Sequence, residues 1–250
     1  MKYLRSALLA LSIAACPATV MAGTFDAAQK KEIGEIIRAY LLENPEILIE
    51  VSKELELRQQ ASETEKRGGA LKAHAKDIFH SEADLVAGNP DGDVTMVEFF
   101  DYNCGWCKKG MSEVLSLIKE DPKLRLVMKE FPIFGGDSDY AAMAALASRK
   151  QDKYWEFHLA LLGHDGKVTR ESVDEIAAAQ GLDLDKLQAD MKDPAIAATL
   201  QRNRELAGLL SISGTPAFII DTEIVPGYLP KDGLMAAVNK VRETGGCKLC

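Results

Sequence analysis

The pattern of hydrophobic and polar positions divides the chain into an amphipathic helical segment and a longer region in which strands and helices alternate. In residues 26–67, apolar side chains recur at intervals of three or four residues, which predicts helices with one apolar face. This apolar stripe contains Ile33, Ile36, Ile37, Tyr40, Leu41, Leu48, Val51 and Leu55. Asn44 and Pro45 are typical of the start of a second helix, and Gly68 and Gly69 predict its end.

Helices of this kind cannot bury the apolar stripe within themselves. The stripe packs either on the main domain of its own chain or against the stripes of sister chains. We favour sister chains, which makes residues 23–68 an oligomerisation segment and the protein a homo-oligomer.

From about residue 84 the pattern changes to short apolar runs separated by helices. The runs "TMVEFFD" and "LRLVMKEFPI" predict two strands, with a helix from Cys104 to about Lys119 between them. A helical block follows, and "PAFIID" and "TEIVPGY" then predict two more strands before a final helix. This order predicts an α/β domain at 84–245 with a helical insertion at about 138–212.

The first 22 residues have the pattern of an export signal. Lys2 and Arg5 precede an apolar core too short to span a bilayer, and small residues then suit cleavage after about Ala22. The sequence around Cys16 also resembles a lipoprotein processing box, which is the alternative. We therefore expect a periplasmic protein.

Net charge and cysteine positions limit the classes of function that this chain can have. The net charge is −8 at pH 7, and it becomes −10 once the two basic residues of the signal are removed. Such an acidic chain argues against general nucleic-acid binding. Four of the five cysteines form two C-x-x-C pairs, Cys104 with Cys107 and Cys247 with Cys250. An exported protein can use such pairs for disulfide chemistry.

The first pair has the spacing and position of a redox-active dithiol. Cys104 follows a strand and Cys107 lies one helical turn later, so both sulfur atoms lie on one side of the helix. The positive end of the helix stabilises a thiolate, which predicts that Cys104 is a nucleophile with a lowered pKa. Cys107 would then resolve a mixed disulfide.

Other uses of this pair fit less well. A zinc ribbon needs a second pair about 15–20 residues away, whereas the next pair lies 140 residues downstream. Covalent haem attachment needs histidine after the second cysteine, and this chain has Lys108 there. A purely structural disulfide of this spacing closes too short a loop to restrict the unfolded chain much.

The motifs "VEFFDYNCGWCKK" and "SGTPAFII" together resemble the DsbA-like branch of the thioredoxin superfamily, over roughly residues 84–245. The resemblance implies a thioredoxin fold with a helical insertion, and thiol–disulfide exchange without a cofactor. Residues 25–58 resemble the N-terminal segment of ScsC-type (suppressor of copper sensitivity) proteins, a subgroup that is exported and whose N-terminal helices can mediate oligomerisation.

The resemblance also implies roles for individual residues. Cys104 and Cys107 match the active pair, and Pro216 matches a cis-proline that faces it. Thr215 would supply a backbone contact to an extended client segment. Glu98 matches a buried acid that shuttles the proton of Cys107; the alternative is a solvent-facing residue on an alternating strand.

Two departures from the family pattern bear on the activity. Gly-Trp stands between the cysteines where the strongly oxidising type has Pro-His, and threonine before the cis-proline resembles the isomerase members. We therefore expect shuffling or formation of disulfides in exported cysteine-containing proteins, with isomerase favoured over oxidase. A membrane redox partner would reduce or reoxidise the dithiol. The alternative is a copper-binding or copper-tolerance protein that uses both C-x-x-C pairs.

The second pair lies at the end of the chain, in residues 246–250. Gly245 and Gly246 predict a mobile tail. Cys247 and Cys250 then form a simple terminal disulfide, remain unpaired thiols, relay electrons to the first pair, or bind a soft metal such as Cu(I) or Zn.

Overall fold

The computed structural model describes residues 25–250, so the predicted signal at 1–22 and Cys16 lie outside the described residues. The described chain divides into two compact units after Gln59. Across residues 25–250, no helix is both long enough and apolar enough to span a bilayer.

The first unit is formed by helix α1 (Ala27–Glu43) and the first part of helix α2 (Glu46–Ala73). Asp26 caps α1, since its side chain accepts a hydrogen bond from the Gln29 N–H and the Gln29 side chain accepts one from the Asp26 N–H. No side chain in residues 25–59 is buried. The exposed side chains include six members of the predicted stripe, namely Ile36, Ile37, Tyr40, Leu48, Val51 and Leu55.

Helix α2 does not end at the predicted glycines. It continues through Gly68 and Gly69 to Ala73, so the predicted break is wrong. A glycine inside a helix costs only about 1 kcal/mol relative to alanine. Leu71, one turn of helix beyond, is 2% exposed and packs in a hydrophobic core. Tertiary packing of this last turn therefore outweighs the local preference of the glycines.

The second unit begins within α2 and contains the remaining elements. These are α3 (Ala75–Phe79), β1 (Leu85–Gly88), β2 (Val94–Phe100), α4 (Gly105–Glu120), β3 (Leu124–Glu130), α5 (Gly136–Ser148), a 3-10 turn (Arg149–Gln151), α6 (Tyr154–Leu162), α7 (Arg170–Ala179), α8 (Leu184–Asp190), α9 (Pro194–Leu209), β4 (Ala217–Ile220), β5 (Glu223–Pro226) and α10 (Lys231–Glu243).

The strands form one five-stranded sheet in the order β1-β3-β2-β4-β5. Strands β2 and β3 are parallel and are connected through α4, whereas the other three pairings are antiparallel. Five α-helices, α5 to α9, lie between β3 and β4. The predicted α/β thioredoxin fold, with a helical insertion and preceding helices, is confirmed.

Strand β2 is the centre of the sheet and is buried along its whole length. Its side chains alternate between two cores: Val94, Met96 and Phe100 belong to one, and Val97 and Phe99 belong to the other. A strand buried on both faces is held rigidly in place. The residues that follow β2, including the first cysteine pair, are therefore presented from a fixed support.

Candidate active site

Cys104 lies between β2 and α4 and caps the helix. The helix begins at Gly105, one residue later than predicted, and the Cys104 Sγ atom accepts a hydrogen bond from the Cys107 N–H at 3.3 Å. The first N–H groups of a helix lack partners within the helix. The sulfur atom of Cys104 therefore occupies the place of a capping oxygen, where negative charge is favoured.

The surroundings of Cys104 lower the pKa of its thiol to about 6. The largest cause is a hydrogen bond from the side chain of Cys107, and backbone N–H groups of Cys107 and Trp106 contribute further. Burial opposes this effect, since Cys104 is only 3% exposed. At neutral pH the reduced protein therefore carries a thiolate at Cys104.

Cys107 has the opposite electrostatic environment. Burial is the main cause that raises the pKa of its thiol, and the hydrogen bond to Cys104 and the charge of Glu98 raise it further. Cys107 is 1% exposed. Near neutral pH it therefore remains a thiol that donates to the Cys104 thiolate.

Glu98 is buried on β2 and is 4% exposed, so the alternative of a solvent-facing residue is wrong. Its side chain projects to the same face of the sheet as those of Met96 and Phe100, the face that α4 and the neighbouring core cover. Burial raises the pKa of Glu98 to about 8, and a charge on Cys104 adds to this effect. The carboxyl group is therefore protonated over most of the physiological range.

The peptide bond between Thr215 and Pro216 is cis and faces the cysteine pair. The Cys104 Sγ atom lies 3.1 Å from the Thr215 carbonyl oxygen, to which it donates a hydrogen bond when Cys104 is protonated. The Thr215 hydroxyl oxygen is buried, and the Thr215 side chain also helps to lower the pKa of Cys104. The site therefore has both a carbonyl and a hydroxyl group of Thr215 beside the reactive sulfur.

Asp101 holds the turn that leads from β2 to Cys104. Its Oδ1 atom accepts hydrogen bonds from the Asn103 N–H at 2.7 Å and the Ser138 hydroxyl at 2.8 Å. Its Oδ2 atom accepts from the N–H groups of Ile133 at 2.7 Å and Phe134 at 3.2 Å. One carboxylate thus ties the turn, the segment after β3 and the start of the insertion together.

The insertion is also fastened to the active-site turn. The Asn103 side chain donates to the Val168 carbonyl oxygen at 3.0 Å and accepts from the Val168 N–H at 2.8 Å. The Lys108 ammonium group donates to the carbonyl oxygens of His164 at 2.7 Å and Gly166 at 2.6 Å. Sequence reasoning missed these contacts with the insertion, because the partners lie 56 to 65 residues away.

Exposed apolar side chains lie near the turn that carries Cys104. Trp106 is 56% exposed, and its ring centroid lies 5.3 Å from that of Tyr228. The Lys109 ammonium group lies 4.9 Å from the Trp106 ring centroid. Ile133 and Phe134 are also exposed, at 38% and 54%. We call Trp106, Tyr228, Ile133 and Phe134 the apolar rim; such exposed aromatic side chains suit contact with another protein.

The second cysteine pair is not on a mobile tail. Cys247 and Cys250 form a disulfide, and the Asp221 Oδ1 atom accepts hydrogen bonds from the N–H groups of Lys248 at 2.7 Å and Leu249 at 2.8 Å. Leu249 and Cys250 also pack against a hydrophobic core. The prediction of a mobile tail is therefore wrong. It relied on two glycines, and the local sequence does not show that the chain end contacts Asp221.

The structure brings Cys104, Cys107, Thr215, Pro216 and Glu98 together at one end of β2 and β4. Their catalytic roles stay predictions. Cys247 and Cys250 lie at the other end of β4, where that strand is followed by Asp221.

Two family models match this chain. Residues 95–239, more than half of the chain, match the DSBA-like thioredoxin domain. Residues 29–62 match the N-terminal domain of the copper resistance protein ScsC. Both parts of the resemblance inferred from sequence motifs are therefore confirmed.

Individual proteins are similar to a large part of this chain. A crystal structure of a thioredoxin-like oxidoreductase from Silicibacter pomeroyi DSS-3 is 45% identical, covers 67% of this chain and 97% of that chain, and has a TM-score of 0.66. The probable disulfide bond formation protein D of Bacillus cereus is 26% identical over 183 residues, which are 68% of this chain and 83% of that protein.

The Na(+)/H(+) antiporter NhaA 3 of Salinispora tropica is 30% identical over 159 residues, 63% of this chain. This chain spans only 24% of the length of that antiporter. The similarity therefore concerns one part of a much longer protein. The match of residues 95–239 to the family model, on a fold that sets a C-x-x-C pair opposite a cis-proline, shows that the chain belongs to the DsbA-like thiol–disulfide oxidoreductases.

Proposed function

We propose that the protein is an exported thiol–disulfide oxidoreductase that rearranges disulfides in other exported proteins, with isomerase favoured over oxidase. The observation that carries this proposal is the asymmetry between the two thiols of the first pair. Cys104 caps α4 and has a pKa lowered to about 6, whereas burial raises the pKa of Cys107. A reactive thiolate beside a protonated resolving thiol suits disulfide exchange.

In the proposed reaction, the Cys104 thiolate attacks one sulfur of a client disulfide. A mixed disulfide forms between Cys104 and the client, and the other client sulfur leaves as a thiolate. In isomerisation, that thiolate or another client thiolate attacks the mixed disulfide, which restores the Cys104 thiolate without net oxidation. When no client thiolate does so, Cys107 attacks Cys104, and two electrons pass to the client.

Glu98 supports the second route by handling the proton of Cys107. The buried thiol must lose its proton before it can attack, and Glu98 is the buried acid whose charge influences it. We propose that the ionised form of Glu98 accepts this proton. Once Cys104 is bonded to a client it carries no charge, so one of the two causes that raise the pKa of Glu98 is absent at this step.

Client binding is supported by Thr215 and the apolar rim. An extended client segment could pair with the exposed backbone at Thr215, as in addition of a strand to a sheet edge. Trp106 and Phe134 would contact apolar side chains of the client. Misfolded proteins expose such side chains, so a surface of this type favours clients that need rearrangement.

The preference for isomerase rests on three features. A thiolate with a pKa of about 6 is less stabilised than that of the strongly oxidising type, with a pKa of about 3.5, and is nearer to that of thioredoxin, at about 7. Thr215 precedes the cis-proline, as in the isomerase members of the family. The exposed stripe on α1 and α2 would, in an oligomer, hold several Cys104 sites around a shared space and shield them from a membrane oxidase.

Oligomerisation through this stripe is part of the proposal. Six of its apolar side chains are exposed in the single chain. Their burial against sister chains would stabilise an assembly by about 25 cal/mol per Å² of apolar area. The match of residues 29–62 to the ScsC N-terminal domain is consistent with a distinct role for this segment.

Copper binding is the alternative function, and it is supported by the description of the N-terminal family model. The two C-x-x-C pairs of one chain cannot share an ion, because Thr215 and Asp221 mark opposite ends of β4, about 15–20 Å apart at ~3.3 Å per residue. Thiolate-bound copper present in stoichiometric amount after mild purification would favour this alternative over the enzyme.

The deciding experiment compares two refolding assays. One follows the recovery of a client with scrambled disulfides, and the other follows the oxidation of a reduced client, both with the full-length protein. We expect the protein to accelerate recovery of the scrambled client more than it accelerates oxidation of the reduced client. If a Cys104→Ser variant performed both reactions as well as the unsubstituted protein, the proposed function would be rejected.

A further inference from the structure

We propose that Cys247 and Cys250 form a second dithiol–disulfide centre that exchanges with a dithiol of another protein molecule, with Cys250 as its nucleophilic sulfur. This inference goes beyond the proposed function of the first pair and does not depend on it. It rests on the contacts that Asp221 and Thr95 make with the tail.

The second pair lies too far from the first pair for direct exchange within one chain. Cys104 contacts Thr215, before β4, whereas the Cys247 sulfur atom lies 3.8 Å from Asp221 Oδ1, after β4. Disulfide exchange needs the sulfur atoms in contact, and the two ends of β4 are about 15–20 Å apart. Any electron exchange at the tail therefore involves another molecule. Cys247 and Cys250 are both partly exposed, which gives such a molecule access.

The tail does not need its disulfide to remain in place. Asp221 accepts hydrogen bonds from two consecutive N–H groups, those of Lys248 and Leu249, and the Leu249 side chain packs on a core. A disulfide between residues only three apart restricts the unfolded chain little. A purely structural role therefore does not explain why two cysteines occur here. The contacts with Asp221 and the core hold the loop, so that it presents the two cysteines in one geometry in both redox states.

The environments of the two sulfur atoms differ. The Thr95 N–H donates to the Cys250 Sγ atom at 3.4 Å, a contact that stabilises negative charge on that sulfur. The Asp221 carboxylate lies 3.8 Å from the Cys247 Sγ atom, and this disfavours a thiolate there and favours a thiol that donates to the carboxylate. In the reduced state Cys250 is therefore the nucleophile, and Cys247 the protonated partner.

This arrangement repeats that of the first pair. There, Cys104 accepts a backbone N–H and Cys107 is influenced by the buried Glu98 carboxyl group. At the tail, Cys250 accepts a backbone N–H and Cys247 lies beside the buried Asp221 carboxyl group. Both pairs thus combine one sulfur suited to carry charge with one that keeps its proton.

The exchange balances as a two-electron transfer. When the tail is oxidised, a thiolate of the partner dithiol attacks Cys247, the Cys247–Cys250 bond breaks, and Cys250 leaves as a thiolate that accepts the Thr95 N–H. The second partner thiol loses its proton and attacks the partner sulfur of the mixed disulfide. The Cys247 thiolate then leaves and takes up a proton beside Asp221. The partner becomes a disulfide and the tail a dithiol.

The test uses the full chain with Cys104→Ser and Cys107→Ser, so that only the tail reacts. The folded protein is equilibrated in glutathione buffers of increasing reducing power, and free thiols are alkylated and located by mass spectrometry. We expect reversible reduction without denaturant, and alkylation of Cys250 at least tenfold faster than of Cys247 at pH 7. Circular dichroism reports that each variant is folded.

The Asp221→Asn substitution in the same background is the matched variant, since its amide oxygen still accepts the two N–H groups but carries no charge. We expect Cys247 alkylation to accelerate several-fold while Cys250 alkylation changes little, so that the ratio of the two rates falls. Reduction only after addition of denaturant, or equal alkylation rates of both cysteines before this substitution, would overturn the proposal.

Discussion

The Sγ atom of Cys104 lies 3.1 Å from the carbonyl oxygen of Thr215, a residue 111 positions further along the chain. When Cys104 is protonated, below about pH 6, its thiol donates a hydrogen bond to this carbonyl group. The thiolate present at neutral pH and a mixed disulfide at Cys104 have no proton to donate, so in both states the Thr215 carbonyl oxygen is available to another donor. In the proposed mechanism, a backbone N–H of the client binds this carbonyl oxygen in these states.

The thiolate at Cys104 gives the first prediction. Absorbance of the reduced protein at 240 nm should rise with a midpoint near pH 6, the value to which the pKa of Cys104 is lowered. Replacing Cys107 by Ala removes the largest stabilising hydrogen bond, so the midpoint should move upward toward the ordinary value of 9, and Cys107→Ser should move it less. A midpoint near 9 in the unsubstituted protein would contradict the role of the helix cap.

Loss of the resolving thiol gives the second prediction. In cells that produce the Cys107→Ser variant, mixed disulfides between Cys104 and exported client proteins should accumulate, because no internal thiol releases the client. Non-reducing gels detect these adducts. The control is the variant with both Cys104→Ser and Cys107→Ser, which should show none of them. Absence of adducts from Cys107→Ser, with Cys104 shown to be reactive, would argue for a metal-binding role.

Glu98→Gln should slow release of the client through Cys107. A glutamine cannot accept the proton of Cys107, and loss of a positioned general base commonly reduces a rate by about 100-fold or more. The lifetime of the mixed disulfide, measured by quenching with acid, reports this change. The control is Glu243→Gln, which makes the same substitution at an exposed position. An unchanged lifetime in Glu98→Gln would remove the proposed proton transfer.

Glu98 also predicts a pH dependence of stability. Its pKa in the folded protein is raised from 4.5 to about 8, so between these values the folded state binds more protons than the unfolded state. Its contribution to the free energy of unfolding is therefore full below pH 4.5 and is lost as the pH rises to about 8. At pH 8 the reduced Glu98→Gln variant should be more stable than the unsubstituted protein by up to about 4 kcal/mol. Denaturant unfolding at pH 5 and pH 8 measures this difference, which should nearly vanish at pH 5.

The apolar rim should determine how well clients bind. We expect a combined Trp106→Ala and Phe134→Ala variant to raise the KM for an unfolded client several-fold, because two exposed apolar contacts are lost. The rate with a small disulfide such as oxidised glutathione should change much less. The control is Leu209→Ala, since Leu209 is similarly exposed, at 50%, on α9. Equal effects of the two changes on KM would show that the rim has no special role.

The apolar stripe predicts an oligomer. Replacing Ile37, Val51 and Leu55 together by Gln should give a monomer at micromolar concentration that keeps its dithiol chemistry. It should lose isomerase activity and gain oxidase behaviour, because its Cys104 site is no longer shielded. Light scattering measures the mass, and the two refolding assays measure the activities.

The matched control for the stripe replaces polar neighbours by the same residue, as Glu35→Gln, Glu50→Gln and Lys53→Gln. This variant should keep the mass and activity of the unsubstituted protein. If the unsubstituted protein is itself monomeric at micromolar concentration, the oligomer proposal fails.

Local sequence patterns were enough to predict the position of the first cysteine pair, between a strand end and a helix start. The three-residue spacing of Cys104 and Cys107, after an apolar run, predicted a helix start beside a strand end, and the helix begins within one residue of that position. The facing Thr215–Pro216 bond was predicted only through family resemblance. Its approach to Cys104 depends on how β2 and β4 pair across more than a hundred residues.

Other features depend on tertiary packing that a local pattern does not contain. The buried Leu71 extends α2 beyond Gly68 and Gly69. Strand β1 has only four residues and exists because it pairs with the edge of β3. To predict the contact between Asp221 and the tail, one would need to know where the last helix directs the chain end.

The four hydrogen bonds to Asp101 have a kinetic consequence. They fix the turn before Cys104, and the N–H of Cys107 already contacts the Cys104 sulfur atom in the reduced protein. Most of the entropy of ring closure is therefore lost when the chain folds, so Cys107 acts at a high effective concentration. In the proposed mechanism, that concentration sets the time available for rearrangement. A client whose own thiols attack the mixed disulfide sooner than Cys107 leaves rearranged, and a slower client leaves reduced.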